Sequence, residues 1–468
     1  MKQNHVCNPV LLESAAQRSI RYLSEIGERR AGPSSETVHA LGGFDVPLPA
    51  GPVNPEDVLD TLDRLGSPAT VASTGGRYFG FVMGGSLPVT VAANWLATAW
   101  DQNAVMAVTS PVAAALEEVA SRWLLELLGL PRASGVGFVG CDTVAIFVAL
   151  AAARRALLLR EGWDVDARGL FGAPPISVVV SEETHVSVHK SLGLLGLGRD
   201  RVVRVPADSQ GRMRANALPR LLGLKVPTLV CVQAGNVNTG SFDPAEEICA
   251  VAHEAGAWVH VDGAFGMWAA AAPERAHLTR GVAQADSWSL DGHKWLNVPY
   301  DCGIAVVRDA GHLRDAMSGD AAYLQRGTQR DPGFLTPGMS VRARGVEVWA
   351  ALASLGRLGV ADLVERTCRH ATRFAEGLSA AGFEILNDVV INQVLVSFGD
   401  DQTTRAVIAA IQEDGTCWCG GTVWHGRAAM RISVSSWATT EEDVERSLEA
   451  MIRIARAQRQ PVSVRCAM

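Results

Sequence analysis

Through the middle of the chain, short runs of apolar and β-branched residues alternate with stretches of helix length. Residues 176–180, 202–205, 228–232, 258–261 and 303–307 read as strands. Strands spaced by helices predict a mostly parallel sheet covered on both faces. In such a sheet the chemistry belongs in the loops at the carboxyl ends of the strands. Ahead of this region, 12–29 has the spacing of an amphipathic helix, and Asn54, Pro55 and Glu56 form a helix start. The stretch SPVAAALEEVASRWLLELLGLP predicts a long amphipathic helix that Gly129 and Pro131 end.

Towards the carboxyl end the pattern changes to helices over 345–358 and 360–381 and antiparallel-looking strands at 383–386, 393–397 and 430–434. The expected organisation is an N-terminal helical arm (1–74), a large domain (75–348) and a smaller α+β domain (349–468). The arm is too rich in Pro and Gly connectors to make its own core, so it is expected to pack on a partner subunit. There is no internal repeat.

With 468 residues, 48% of them hydrophobic, the chain can bury a large core. A net charge of −7 without a long basic run argues against nucleic acid as the partner. The longest apolar run, 143–153, stops at Arg154 and Arg155, well short of the roughly 20 residues that span a bilayer. No membrane partner is expected. The first ten residues, MKQNHVCNPV, lack the apolar core of a signal peptide. Nine cysteines, odd in number and without zinc-like spacing, suit reduced thiols in a cytoplasmic protein with no structural metal. Cys417 and Cys419 then read as small buried hydrophobes.

The stretch SWSLDGHKWLNVPYDCG contains a single lysine, Lys294, behind His293. A lysine amine can hold an aldehyde as a Schiff base and pass it to an incoming amino group. Upstream, WVHVDGAFG supplies Asp262 at the end of an apolar run, a carboxylate of the kind that keeps a pyridinium nitrogen protonated. Beside a cation it is expected to hold a depressed pKa and stay charged. His185, in SEETHVSVHKSLGLLG, also follows a strand-like run.

Taken together, these segments resemble the pyridoxal phosphate (PLP)-dependent amino acid decarboxylases of the aromatic amino acid and glutamate decarboxylase group, over about 21–455. The resemblance implies the α/β fold of the aspartate aminotransferase (type I) class, a homodimer, PLP as cofactor and an L-amino acid as substrate. It makes Lys294 the cofactor anchor and a later general acid, Asp262 the partner of the ring nitrogen, and His185 the ring that stacks on the cofactor. His293 falls where the cofactor phosphate or substrate carboxylate would be bound, and Ala264 is small where the cofactor ring nears the backbone. Asn238, in GNVNTGSFDP, falls beside the ring hydroxyl, and Arg431, in MRISVSS, matches an arginine used for a substrate carboxylate.

Two stretches depart from the family pattern. The phosphate cup, GFVGCDTVAI, keeps Thr143 as a phosphate ligand but carries Cys141, Asp142 and Ile146, while Asp291 replaces an asparagine of some relatives. A carboxylate beside a phosphate is repulsive, so Asp142 must point away, be protonated, or weaken cofactor binding. The loop GTQRDPGFLTPGMSVRARG lacks the tyrosine that relatives place over the neighbouring subunit's site. Tyr323 precedes it, and Gly333, Phe334 and Leu335 stand in its place. Phenylalanine there accompanies oxidative deamination in some aldehyde-forming relatives. Trp95, Trp100, Tyr78, Phe79 and Phe334 are available for an apolar pocket, which favours an aromatic substrate. The expectation is therefore decarboxylation of an aromatic L-amino acid. Two readings stand beside it: the same chemistry ending in an aldehyde or a new carbon–carbon bond, and a non-catalytic relative that has lost PLP.

Overall fold

A computed structural model of the chain describes residues 8–222, 226–319 and 330–459. Seven strands make the main sheet: β1 (Gly135–Val139), β2 (Ser177–Ser181), β3 (Val203–Val205), β4 (Thr228–Gln233), β5 (Trp258–Asp262), β6 (Ser287–Asp291) and β7 (Gly303–Val307). Their order is β1-β7-β6-β5-β4-β2-β3. Strands β2 to β6 pair in parallel, and only β7 runs against its neighbours, β6 and β1. This is the mostly parallel sheet that the strand–helix alternation predicts.

Successive side chains of a strand point to opposite faces, and here both faces are apolar. Val178, Val180, Leu229 and Cys231 join one core with the helix Asp142–Arg160. Val179, Val230, Val232, Val259 and Val261 join the other, with the helix Pro111–Leu127. Every residue of β4 to β7 is buried. Because β1, β2, β4, β5 and β6 share a direction, their carboxyl ends line up along one edge of the sheet.

The helix Gly345–Ala380 leaves helical geometry at Gly356, φ 58°, where the sequence reading placed the gap at Gly359. Its first part packs on the large core through Val348, Ala351 and Leu352. Phe374 and Leu378, further along, belong to a second core beneath an antiparallel sheet. That sheet contains β8 (Glu384–Ile385), β9 (Gln393–Ser397), β10 (Gly420–Trp424) and β11 (Arg427–Ser433), ordered β10-β11-β9-β8. β10 begins with two glycines and has no apolar run, so no strand was expected there.

Residues 77–79 add to this smaller sheet. Tyr78 bridges Trp418, the Phe79 N–H donates to the Trp418 carbonyl, and the Ser433 N–H donates to the Phe79 carbonyl. At the amino end, the helices Pro9–Ser24, Ser35–Ala40 and Pro55–Ala69 bury no residue. Asn54 caps the third, as its sequence predicts, and Arg18 ties the first to it through Glu56, Asp60 and Asp63.

Candidate active site

After β6 the chain turns sharply. Asn297, at φ 58°, donates its amide to the carbonyls of Trp295 and Ser435 and accepts from the Trp437 N–H. The buried Trp295 indole donates to Thr367. Lys294 therefore sits on a loop fixed from both units. The backbone facing it is Gly84, where a Cβ would lie 1.6 Å from the Lys294 carbonyl oxygen. Only glycine can occupy that position.

Lys294 Nζ lies 2.9 Å from Asp291 Oδ2. The other oxygen of Asp291 accepts from the N–H of Asp142, the first residue of the helix Asp142–Arg160, at 2.7 Å. Burial pulls the lysine pKa down, but Asp291, Asp142 and Asp262 outweigh it and hold the ammonium above its ordinary range. Asp142 itself is buried, and its Oδ1 has no hydrogen-bond partner. Burial, reinforced by Asp262 and Asp291, pushes its pKa well up. Of the three outcomes open to Asp142, the geometry favours the protonated one.

Asp262 ends β5 with Oδ1 accepting from the Ala264 N–H. Its pKa is raised by burial, against the opposing charges of His185 and Lys294, where a depressed value was expected. The expectation weighed the neighbouring cation and not the desolvation. His185 caps the helix Val186–Leu194, its Nδ1 accepting from the Ser187 N–H, and burial lowers its pKa. A neutral ring with Nδ1 as acceptor carries its proton on Nε2. His293 Nδ1 likewise accepts, from the Cys302 N–H, and the Tyr300 ring covers the imidazole at 4.3 Å.

Lys294 opens into a cavity of about 570 Å³. Val71, Tyr78, Phe81, Val82, Met83 and Tyr300 give it an apolar and aromatic side, and His185, Asn238, Thr422 and Arg431 a polar one. Arg431, on β11, donates to the Val237 carbonyl, and among the described residues it has no acidic partner. Burial brings its pKa down to about 10. Asn238 accepts from Thr422. Asp262, Asp291, Asp142 and His293 are buried outside that lining, while Thr143 stands in the first turn of the helix Asp142–Arg160 and Ala264 two residues beyond β5.

Other expected pocket residues lie elsewhere. Phe79 is 1% exposed and meets Phe374 edge-on in the smaller unit's core, because residues 77–79 pair with that unit's sheet. Phe334 is buried in the turn Pro332–Phe334, whose Gly333 N–H donates to Val105, and lies outside the cavity lining. Trp95 and Trp100 face outward on the helix Pro88–Trp100. Tyr323 and residues 327–329 of the loop lie outside the described residues. Phe81, Met83, Tyr300 and Thr422 were missed, although Tyr300 falls within the lysine motif.

The donor set suits a phosphorylated pyridine aldehyde. It offers an amine, an acidic group at the end of β5, a helix N-terminus, and the buried Asp142 Oδ1, which lacks a hydrogen-bond partner. A lysine and an aspartate at the carboxyl edge of a mostly parallel sheet define a PLP-dependent enzyme of the α/β class. The family is explicit: residues 45–399 match the model of the pyridoxal-dependent decarboxylase conserved domain, and the chain belongs to that family. It is a PLP-dependent lyase of the amino acid decarboxylase group, which removes the non-catalytic reading. The aromatic-L-amino-acid decarboxylase of Drosophila lebanonensis is 30% identical over 369 residues, 73% of this chain and 88% of that protein. The 4-hydroxyphenylacetaldehyde synthase of Rhodiola rosea is 28% identical, covering 72% of each. Among solved structures, the Oryza sativa TDC with PLP and tryptamine superposes with a TM-score of 0.90 at 22% identity, over 98% of this chain and 100% of that one.

Proposed function

We propose that the enzyme removes the α-carboxylate of an aromatic L-amino acid. The observation that carries this reading is the two-sided cavity at Lys294, with an arginine that has no acidic partner among the described residues on one side and aromatic and apolar side chains on the other. PLP, when bound, supplies an electron sink for the pair left by departing carbon dioxide. Lys294 would anchor it, Asp262 would hold a proton on its ring nitrogen, and His185 would cover the ring. Thr143 and the N-terminus of the helix Asp142–Arg160 would receive the phosphate, with Asn238 near the ring hydroxyl. Arg431 binds the substrate carboxylate, and Tyr78, Phe81 and Tyr300 receive the side chain.

Assaying carbon dioxide release from a panel of amino acids tests the substrate class. Aromatic substrates should lead, and a clear preference for acidic ones would overturn the reading. Removing a charge-assisted hydrogen bond typically costs about 1.5–3 kcal/mol, so Arg431→Ala should raise KM roughly ten- to a hundredfold, by steady-state kinetics.

A second reading ends in an aldehyde. It is favoured by the tyrosine-free loop stretch 330–345 and by the similarity to an aldehyde synthase. Amine with stoichiometric carbon dioxide and no oxygen uptake supports decarboxylation alone, whereas aldehyde, ammonia and peroxide support the second. The proposed assembly is a homodimer built on the N-terminal arm and the helix Pro88–Trp100, with the three-part division of the chain read from its sequence. A cytoplasmic location is proposed on the unpaired state of the seven described cysteines.

A further inference from the structure

Loss of carbon dioxide leaves an electron pair on the substrate carbon, and an amine forms only when that carbon is protonated, which a positioned acid does faster than water. The chain has four tyrosines, and two of them, Tyr78 and Tyr300, line the Lys294 cavity. We infer that Tyr300 is the catalytic residue that delivers this proton, an inference that rests on the decarboxylase reading above.

Among the described residues, the other proton-bearing groups at the cavity are less suited. Lys294 Nζ is held 2.9 Å from Asp291. His185 is a neutral ring with Nδ1 already engaged by Ser187, and a neutral imidazole is a weak acid. Tyr78 is 6% exposed and stacked on Trp418, with ring centroids 5.0 Å apart. Tyr300 is 55% exposed, and the opposed charges of Lys294 and Asp291 both reach its phenol, whereas neither acts on Tyr78. Its ring rests on His293, and the next residue, Asp301, is gripped by Arg342 and Arg344. The backbone beneath the phenol is thus pinned from two sides. Partial desolvation where the ring packs on His293 lifts the Tyr300 pKa to about 12, as burial does for Tyr78, so the phenol is protonated at neutral pH.

The step balances within the protein and water. The bond from the α-carbon to the carboxylate breaks, carbon dioxide leaves, and the electron pair stays with the substrate. The Tyr300 O–H bond then breaks as the new C–H bond forms. The phenolate, part-exposed and near the lysine cation, recovers its proton from solvent.

The test uses the holoenzyme and its best amino acid substrate, with carbon dioxide and amine measured separately. Tyr300→Phe should keep cofactor absorbance and first-turnover carbon dioxide release while amine formation falls about a hundredfold, the usual scale for a lost general acid. An aldehyde should take its place, with dioxygen as the electron acceptor reduced to peroxide and water displacing ammonia. Tyr78→Phe and Tyr323→Phe should leave the ratio of amine to carbon dioxide unchanged. Installing 3-fluorotyrosine at position 300 should move the alkaline limb of amine formation to lower pH. The assignment falls if Tyr300→Phe keeps amine formation within about threefold of the parent rate, or loses carbon dioxide and amine together in the first turnover. It also falls if Tyr78→Phe or Tyr323→Phe changes the ratio, or if the parent enzyme makes aldehyde instead of amine. A parent enzyme that releases no carbon dioxide from any amino acid overturns the decarboxylase reading itself, a result distinguishable from an unchanged ratio in Tyr300→Phe.

Discussion

Asp142 places a carboxyl group in the first turn of the helix that a phosphate would approach, and its pKa is pushed well up by burial, then by Asp262 and Asp291. Below that raised pKa the group is neutral and can donate a hydrogen bond; above it, the group repels a phosphate. Lys294, facing the same cluster, opposes the shift. Cofactor affinity should therefore weaken as pH rises through the Asp142 titration. Asp142→Asn should flatten this dependence, and Asp142→Ala should tighten binding at the alkaline end by about tenfold, equivalent to one pKa unit of like-charge coupling. Titrating apoenzyme with PLP at several pH values, followed by cofactor absorbance, checks both; unchanged affinity in Asp142→Ala would mean the carboxyl is remote from the phosphate. The residues around Lys294 were legible because local text carries them: a histidine and an aspartate each follow an apolar run, and the lysine follows its own. Phe79 and Phe81 were not separable in that way. They stand two apart in one extended stretch, and only the pairing of 77–79 with Trp418 sends the first into the core and leaves the second at the cavity.

The site also depends on where elements cross, and two glutamate and glycine positions make that measurable. Gly84 meets the Lys294 loop backbone to backbone, with the Gly84 N–H donating to the His293 carbonyl. Overpacking typically costs about 1–3 kcal/mol, and here the clash falls on the lysine loop. Gly84→Ala should lower both the melting temperature and PLP occupancy, read by calorimetry and by absorbance, whereas Gly51→Ala, in open space, should leave PLP occupancy alone. On the helix Pro111–Leu127, burial pushes Glu117 up to about 7, with Arg330 pulling the other way. A glutamate raised in the folded state binds its proton more tightly there than in the unfolded chain. Its stabilising contribution is then complete below the unfolded value of about 4.3 and is lost as pH rises to about 7. That loss is about 4 kcal/mol, and Glu117→Gln should remove it, seen as urea midpoints that no longer fall between those pH values. Elements with a strong period were legible: the β-branched runs became β2, β4, β5 and β7. β10 was not, since Gly420 and Gly421 pair by backbone alone with β11 and leave no apolar signature.

At the scale of the whole molecule, the chain by itself leaves a large apolar surface in water. The helix Pro88–Trp100 buries only Thr90 and exposes Val89, Trp95, Leu96 and Trp100. Val10, Leu12 and Ile20 are 71%, 62% and 59% exposed on the arm. Clustered apolar exposure of this kind marks an interaction surface, and a second copy of the chain is the partner we propose. Sequence pattern could predict that an arm exists but not where it lands, because a partner's surface imposes no period on this chain. The same helix carries Asn94, Ala97 and Thr98 along a cleft of about 670 Å³ that Tyr300 and Arg342 close, so the proposed interface borders the reaction cavity. Leu96→Asp should therefore do two things at once. Sedimentation should give a particle near the chain's 49.6 kDa in place of twice that mass, and carbon dioxide release should fall with it. A variant that stays dimeric would put the interface elsewhere, and a monomer with undiminished activity would mean that each subunit completes its own site.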